Sequence, residues 1–215
     1  MTPVNQFSLP MWVRSASACI ALISVGACSA LSPTSTPAPA LYSLNDNSAT
    51  NPIPINTTAS STKRTLLVSP PHAASGFDSQ RIVYVRTAHQ LEYFSNSEWI
   101  DPPARMLGPL LVAAIEKTAA FRAVVMTPGA ANGQLRLDTE IVRLQHEFQK
   151  RPSRVRFTLR ATLVDEKTRT VIALKEFDMT ADSTREDAYG GVVAANQAVQ
   201  SALVNLSQFL KEGEK

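Results

Sequence analysis

The side chains in this sequence that could do chemistry are few and widely spaced. Its three histidines, His72, His89 and His146, lack the neighbouring ligands that mark a metal site, so we expect each to be structural. No G-x-S-x-G, H-E-x-x-H, phosphate-loop or dinucleotide motif occurs. Adjacent carboxylates at 165–166 and 186–187 fall at a predicted turn and a predicted helix start, where solvation and the helix dipole account for them. The sequence therefore predicts no catalytic residue, no metal site and no cofactor.

The other reactive groups are the thiols of Cys19 and Cys28. Residues 15–27 are an uncharged apolar run preceded by Arg14, which is the layout of a signal peptide. As a helix this run would be about 20 Å long, too short for a bilayer core of about 30 Å. It ends in V-G-A-C at 25–28, which resembles the lipobox of bacterial lipoproteins. The resemblance implies that Cys28 accepts a diacylglycerol and becomes the mature N-terminus; the alternative is a chance cysteine in an ordinary secretory signal.

Acylation at Cys28 would hold the product on a membrane, because each buried methylene contributes about 0.8 kcal/mol. Processing would also remove Cys19 and acylate Cys28, which leaves no disulfide. Ser29 stands where an aspartate would usually retain a lipoprotein in the inner membrane, so the outer membrane is favoured. The sequence leaves open whether translation begins at Met1 or Met11.

Length and charge restrict the class of protein further. The chain has 215 residues, of which 44% are hydrophobic and 18% charged, as in one ordinary globular domain. Lys and Arg number 21 and Asp and Glu 18, and the resulting net charge of +3 is too small for a nucleic-acid-binding surface. We therefore expect no nucleic-acid partner.

Composition divides the chain into three parts. Residues 1–27 are the predicted lipoprotein signal peptide. Residues 28–64 are rich in Pro, Ser and Thr, which is typical of a tether, although LYSL at 41–44 could add a short strand to the sheet. Residues 65–215 alternate between strand and helix patterns and form the predicted domain. A tether as long as 29–64 would let this domain work well away from its membrane.

The expected fold class is α+β: an antiparallel β-sheet with two α-helices packed on one face, a two-layer sandwich. Short β-rich runs predict strands at 65–69, 81–86 and 89–99. The first helix is predicted to begin at Asp101, as its cap, with a kink or restart at Pro109. The second is predicted to begin at Thr184, also as a cap, and to pack its apolar stripe flat on the sheet.

The central strands carry the most specific structural prediction. In 154–164 apolar residues alternate strictly, but in 134–148 they change parity near Ile141 and Val142, which predicts a β-bulge. The bulge would pair Leu144 with Phe157, Glu147 with Arg154, Leu137 with Leu163 and Glu140 with Arg160. A third strand at 170–180 is expected to align Phe177 with Phe157. Lys175 then faces inward, either snorkelling at the sheet margin or indicating a register off by one.

Two surface features could bind a partner. Arg154, Arg156 and Arg160 share the outer face of the central hairpin and could meet an acidic partner or lipid head groups; the alternative is a solvated face balanced by glutamates. Tyr93 and Trp99 belong to an aromatic run that could serve an interface or, equally, staple a helix entry to the core.

These segments, in this order, resemble the ABC-type transport auxiliary lipoprotein family. That family includes the lipoprotein of the paraquat-inducible transport system and auxiliary components of mammalian-cell-entry (MCE) lipid importers. The resemblance covers about 41–210 and depends most on RIVYVR at 81–86 followed by EYFSNSEWIDPPARML at 92–107. Pro109 and the insertion at 45–64 depart from the family pattern.

The resemblance implies a non-enzymatic lipoprotein anchored at the periplasmic face of the outer membrane. Its partners would be the membrane, the periplasmic MCE-domain protein of an ABC lipid transporter and, in a homo-oligomeric ring, further copies of the chain. Two other functions stay open. One is a structural lipoprotein of outer-membrane assembly, and the less favoured one is a secreted hydrolase with an unrecognised site.

Overall fold

The structure, a computed structural model, describes residues 38–45, 63–129 and 131–213. Its strands are β1 (Ala40–Tyr42), β2 (Thr65–Val68), β3 (His72–Ala73), β4 (Arg81–Val85), β5 (Glu92–Trp99), β6 (Ala123–Met126), β7 (Leu135–Glu147), β8 (Arg154–Asp165) and β9 (Val171–Asp182). Its helices are α1 (Pro103–Glu116) and α2 (Ala188–Gly213). The predicted signal peptide and Cys28 lie outside the described residues and stay predictions.

One open sheet contains these strands, and with the two helices it confirms the α+β class. Strands β7, β8 and β9 form an antiparallel meander, and β4 and β5 an antiparallel hairpin. The sheet is nevertheless mixed, because β1 pairs parallel with β5, β2 with β6, and β2, β3 and β4 with successive parts of β7. Parallel neighbours need crossover connections, and the connection from β2 to β6 includes α1.

The β7–β8 hairpin has the predicted register. The pairing passes from Ile141 opposite Leu159 to Arg143 opposite Thr158, so Val142 is the bulged residue. All four predicted pairs are present: Leu144 with Phe157, Glu147 with Arg154, Leu137 with Leu163 and Glu140 with Arg160. The extra residue changes the parity of β7, and the apolar side chains on both sides of the bulge therefore reach the core.

The β8–β9 register differs from the predicted one by two residues, since Phe177 lies opposite Leu159 and not Phe157. A shift of two residues leaves every side chain on the same face, which is why the alternation could not detect it. Lys175 keeps its inward parity but is exposed, and its Nζ lies 5.4 Å from the ring centre of Phe177 and 5.1 Å from that of Phe209. The predicted snorkelling at the sheet margin is confirmed.

Both helices begin later than predicted. The N-cap of α1 is Pro102, which gives no side-chain cap, and Asp101 instead forms an ion pair within the first turn. Residues 184–187 bend ahead of α2, and Asp187 Oδ1 then accepts a hydrogen bond of 2.8 Å from the backbone N–H of Gly190. Asp187 therefore caps α2, and the predicted Thr184 cap is wrong.

Helix α1 runs through Pro109 as one element, so the predicted restart is wrong. The flanking Leu107 and Leu111 are fully buried. Burial of two leucines, at about 1.5–3 kcal/mol each, offsets the roughly 3 kcal/mol that an internal proline costs a helix.

The two helices contact each other and belong to the same hydrophobic core. Helix α2 packs on β8 and β9, and α1 packs on β6, so the predicted flat packing of α2 on the sheet is confirmed. The buried side of α2 includes the predicted stripe of Val192, Ala195, Val199, Ala202, Leu203, Leu206 and Leu210. In the part of the chain that the structure describes, no helix is long and apolar enough to cross a membrane.

Candidate binding surfaces

The three predicted partner-binding arginines follow one another along the outer face of β8. Arg160 is held from both sides: its Nη1 lies 2.7 Å from Glu140 Oε2 on β7, and its Nη2 lies 3.2 Å from Glu176 Oε2 on β9. The sheet register sets these three residues directly opposite one another. Arg160 thus links three neighbouring strands through charge.

Glu147 holds the other two arginines. Its Oε2 accepts a hydrogen bond of 3.0 Å from Arg154 Nε, and its Oε1 accepts one of 3.0 Å from Arg156 Nε. Burial tends to raise the pKa of Glu147, but hydrogen bonds from Arg154, Gln145 and Arg156 outweigh it and the pKa is lowered. Arg156 also donates from Nη1 to Asp178 Oδ2 on β9, at 2.5 Å. We call the ion pairs of Arg154, Arg156 and Arg160 with Glu140, Glu147, Glu176 and Asp178 the outer ladder.

The outer ladder changes how the arginine face must be interpreted. Carboxylates from both neighbouring strands neutralise it, including Glu176 and Asp178, whose positions depend on the β9 register that the sequence did not fix. An acidic partner would have to compete with these ion pairs. Binding of a partner by Arg154, Arg156 and Arg160 stays a prediction.

The two aromatic candidates lie in different environments. Trp99 is buried in the hydrophobic core, whereas Tyr93 is exposed. The Arg81 guanidinium lies over the Tyr93 ring, with its Cζ 5.0 Å from the ring centre. An irregularity between Arg81 and Val83 shifts the β4–β5 register, so a regular alternation could not place both rings. Only Tyr93 is available to a partner in this conformation.

His146 is buried, as expected of a structural histidine. Its Nε2 lies 2.8 Å from Ser153 Oγ, while its Nδ1 has no hydrogen-bond partner. Burial lowers the pKa of His146 to about 4, against the opposing charges of Glu186 and Asp187, so the imidazole is neutral at pH 7. Phe148 stacks on the ring, with 4.1 Å between centroids. Because Ser153 is also fully buried, this Ser–His pair is closed to a substrate.

Gly190 and Gly191 each allow a close approach, Gly190 to the turn that precedes α2 and Gly191 to β7. A Cβ at Gly191 would lie 2.5 Å from His146 Nδ1, and one at Gly190 would lie 2.2 Å from the Arg185 carbonyl oxygen. The sequence predicts only a loosened first turn at these glycines. His146 and Gly191 meet through the tertiary fold, so no local motif could have revealed their contact.

His72 and His89, unlike His146, are exposed. Within residues 38–45, 63–129 and 131–213, no group of three His, Cys, Asp or Glu side chains could hold a metal ion.

The model of the family described as the ABC-type transport auxiliary lipoprotein component matches residues 42–206. The chain belongs to this family. It is similar to the crystal structure of protein XCC0632 from Xanthomonas campestris, with a TM-score of 0.65 and 21% identity, over 82% of this chain and 94% of that one. A crystal structure of an uncharacterized protein has a TM-score of 0.62 and 14% identity, over 80% of this chain and 99% of that one. These two likenesses show the fold alone, and no curated protein matches the chain.

This auxiliary lipoprotein domain also exposes apolar side chains at two edges of its sheet. We call Leu41, Ile100 and Tyr189 the β1 edge; they lie on or beside β1. We call Val171, Ile172 and Leu174 the β9 edge; they lie on the outermost strand of the meander. Exposed apolar groups of this kind mark contact surfaces more often than single scattered ones do.

Proposed function

We propose that this chain is a non-enzymatic outer-membrane lipoprotein that docks the periplasmic MCE-domain protein of an ABC-type lipid transport system. The observation that carries the proposal is the family match over residues 42–206. The V-G-A-C at 25–28, just ahead of the matched region, supports acylation of Cys28.

The chemistry of the described domain supports binding over catalysis. Its buried Ser153–His146 pair is closed to solvent, and the arginines of its outer face are engaged with carboxylates. What the domain presents to a partner is a surface of exposed side chains. Tyr93 and the outer ladder are the part of that surface that we propose for the MCE-domain protein.

Labelling with a palmitate analogue tests the anchor. The wild-type chain should incorporate the label and Cys28→Ala should not, since the thiol is the acceptor. Label on both forms, or on neither, would contradict acylation at Cys28.

Co-purification tests the partner. The full acylated chain, extracted in mild detergent, should retain an MCE-domain protein, and Tyr93→Ala and Arg160→Ala should retain less of it. Lys211→Ala, which changes an exposed residue on the last turn of α2, is the control. Tyr42→Ala would be unsuitable as a control, because the Tyr42 ring packs against Tyr189. Capture of abundant porins only would contradict the proposal.

Native mass spectrometry of the same preparation tests the ring. We expect a closed homo-oligomer, because the family resemblance implies a ring and most soluble homo-oligomers have closed symmetry. A monomer at all concentrations would contradict this part of the proposal.

A further inference from the structure

The structure shows that the tether between the proposed anchor and the folded domain is shorter than the sequence predicts. Ala40–Tyr42 is already part of the sheet, paired with β5. The chain beyond it is fixed to α2, where Asn196 Oδ1 accepts a hydrogen bond of 2.8 Å from the backbone N–H of Asn45. The domain therefore begins at β1 and not at β2, and only residues 29–39 separate Cys28 from it.

This length limits the distance between the domain and its bilayer. Even fully extended, the chain from Cys28 to Ala40 reaches only about 40 Å, against about 120 Å for a tether that ran to β2. The opposite sheet edge, β9, lies five strands away from β1, or about 24 Å. If β9 faced the bilayer, the tether would have to extend over most of its maximum length and would lose conformational entropy. If β1 faces the bilayer, the tether can stay short and keeps that entropy.

The side chains at the tethered edge suit a lipid head-group region. Leu41 and Ile100 are exposed, and Ile100 is joined to β1 by a hydrogen bond of 2.7 Å from its backbone N–H to the Tyr42 carbonyl. The Tyr42 ring packs 6.4 Å from that of Tyr189, which is itself exposed. Aliphatic side chains beside tyrosines are the composition found where protein meets the boundary between lipid and water.

We propose that the β1 edge rests on the lipid head groups of the bilayer that holds the acyl chains. This rests on the proposed acylation of Cys28. The contact is interfacial and not inserted, because the outer backbone groups of an edge strand need water or head groups as hydrogen-bond partners. The β9 edge then points away from the bilayer, toward the aqueous compartment.

Two single-cysteine variants test this orientation. Leu41→Cys and Leu174→Cys change similarly exposed residues, 57% and 62%, at opposite edges of the sheet. The sequence contains only Cys19 and Cys28, so in the processed, acylated protein the introduced thiol is the one free thiol. Each variant is labelled with bimane and reconstituted in phosphatidylethanolamine and phosphatidylglycerol vesicles that contain a lipid with a nitroxide head group. We expect loss of fluorescence for Leu41→Cys and little loss for Leu174→Cys.

The possible outcomes separate the orientation from the anchor. If the protein floats with the vesicles but quenching is equal, or stronger for Leu174→Cys, the orientation is wrong and the anchor stands. If a protein and not lipid covers the β1 edge, the Leu41→Cys label stays bright in these vesicles, which also overturns the proposal. If the protein does not float, the acylation is wrong and the orientation falls with it. Circular dichroism and melting temperature of both labelled variants verify that they are folded.

Discussion

On the inner face of the β7–β8 hairpin the side chains are fully buried and packed against the helices, whereas on its outer face most are partly exposed and many are paired by charge. The inner face holds Ile141, Phe157 and Leu159, with His146 as its buried titratable group. The outer face holds the outer ladder. A change on the inner face leaves a cavity, a clash or an unpaired buried group, while an exposed ion pair can exchange its partner for water. The domain's stability therefore depends mainly on the inner face, which leaves the more exposed ion pairs of the outer face available for recognition.

Deletion of Val142 would interchange the two faces over half of β7. Without the bulged residue, either the segment before it or the segment after it must turn its apolar side chains outward and its charges inward. We expect the free energy of unfolding to fall by about 3–6 kcal/mol or more, because at least two buried aliphatic side chains are exposed. Urea unfolding followed by circular dichroism measures this.

Val142→Ala is the matched control for the deletion. It keeps the bulge and truncates a half-buried side chain, so the expected loss is about 1 kcal/mol or less. A deletion variant as stable as Val142→Ala would show that the bulge does not hold the two faces apart.

Acid should weaken the inner face before it weakens the outer one. The pKa of His146 is about 4 in the folded protein against 6.5 ordinarily, so the unfolded chain takes up the proton at higher pH and stability falls as pH falls from about 7 toward 4. The full effect is about 3 kcal/mol. Glu147, whose pKa is lowered from 4.5, stabilises the fold above that value and loses its contribution only below it.

Urea unfolding at pH 7 and pH 5 separates the two groups, because only His146 of this pair contributes in that window. His146→Gln should remove most of the difference between the two pH values. An unchanged pH dependence in that variant would show that another group is responsible.

The sequence could predict the β7–β8 hairpin because the information is local. The parity change near Ile141 and Val142 and the charge pairs across the turn lie within one stretch of chain, and a one-residue error would have turned apolar side chains outward. The β9 register escaped prediction because a shift of two residues preserves parity. The parallel pairs of β2, β3 and β4 with β7 escaped it because they join distant segments, which leave no periodic signal.

For the candidate binding surfaces, too, the sequence could predict one part and not another. Arg154, Arg156 and Arg160 could be placed on one face from alternation alone. Their neutralisation could not, because Glu176 and Asp178 reach them through the register of β9. The contact of His146 with Gly191 depends on how α2 crosses the sheet, which no spacing in the sequence specifies.

Gly191→Ala tests the close contact beneath the inner face. In most helices alanine is more stabilising than glycine, but here the added Cβ would lie 2.5 Å from His146 Nδ1. We expect a net destabilisation of about 2 kcal/mol from overpacking. Gly213→Ala, at the end of the same helix and with no atom within 4 Å of the added Cβ, should be neutral or slightly stabilising. Chemical unfolding of both variants provides the comparison, and equal effects would contradict the packing argument.

The outer ladder gives the smallest expected effects, and two of its glutamates differ in a useful way. Glu147 is largely buried and bonded to two arginines, whereas the Glu176 side chain is 47% exposed and bonded to one. Glu147→Gln should cost about 1–2 kcal/mol, because two guanidinium groups lose a charged partner in a poorly solvated position. Glu176→Gln should cost less than about 0.5 kcal/mol, because water replaces the partner. If urea unfolding gives the two variants equal losses of stability, burial does not determine how much each ion pair of the outer ladder stabilises the domain.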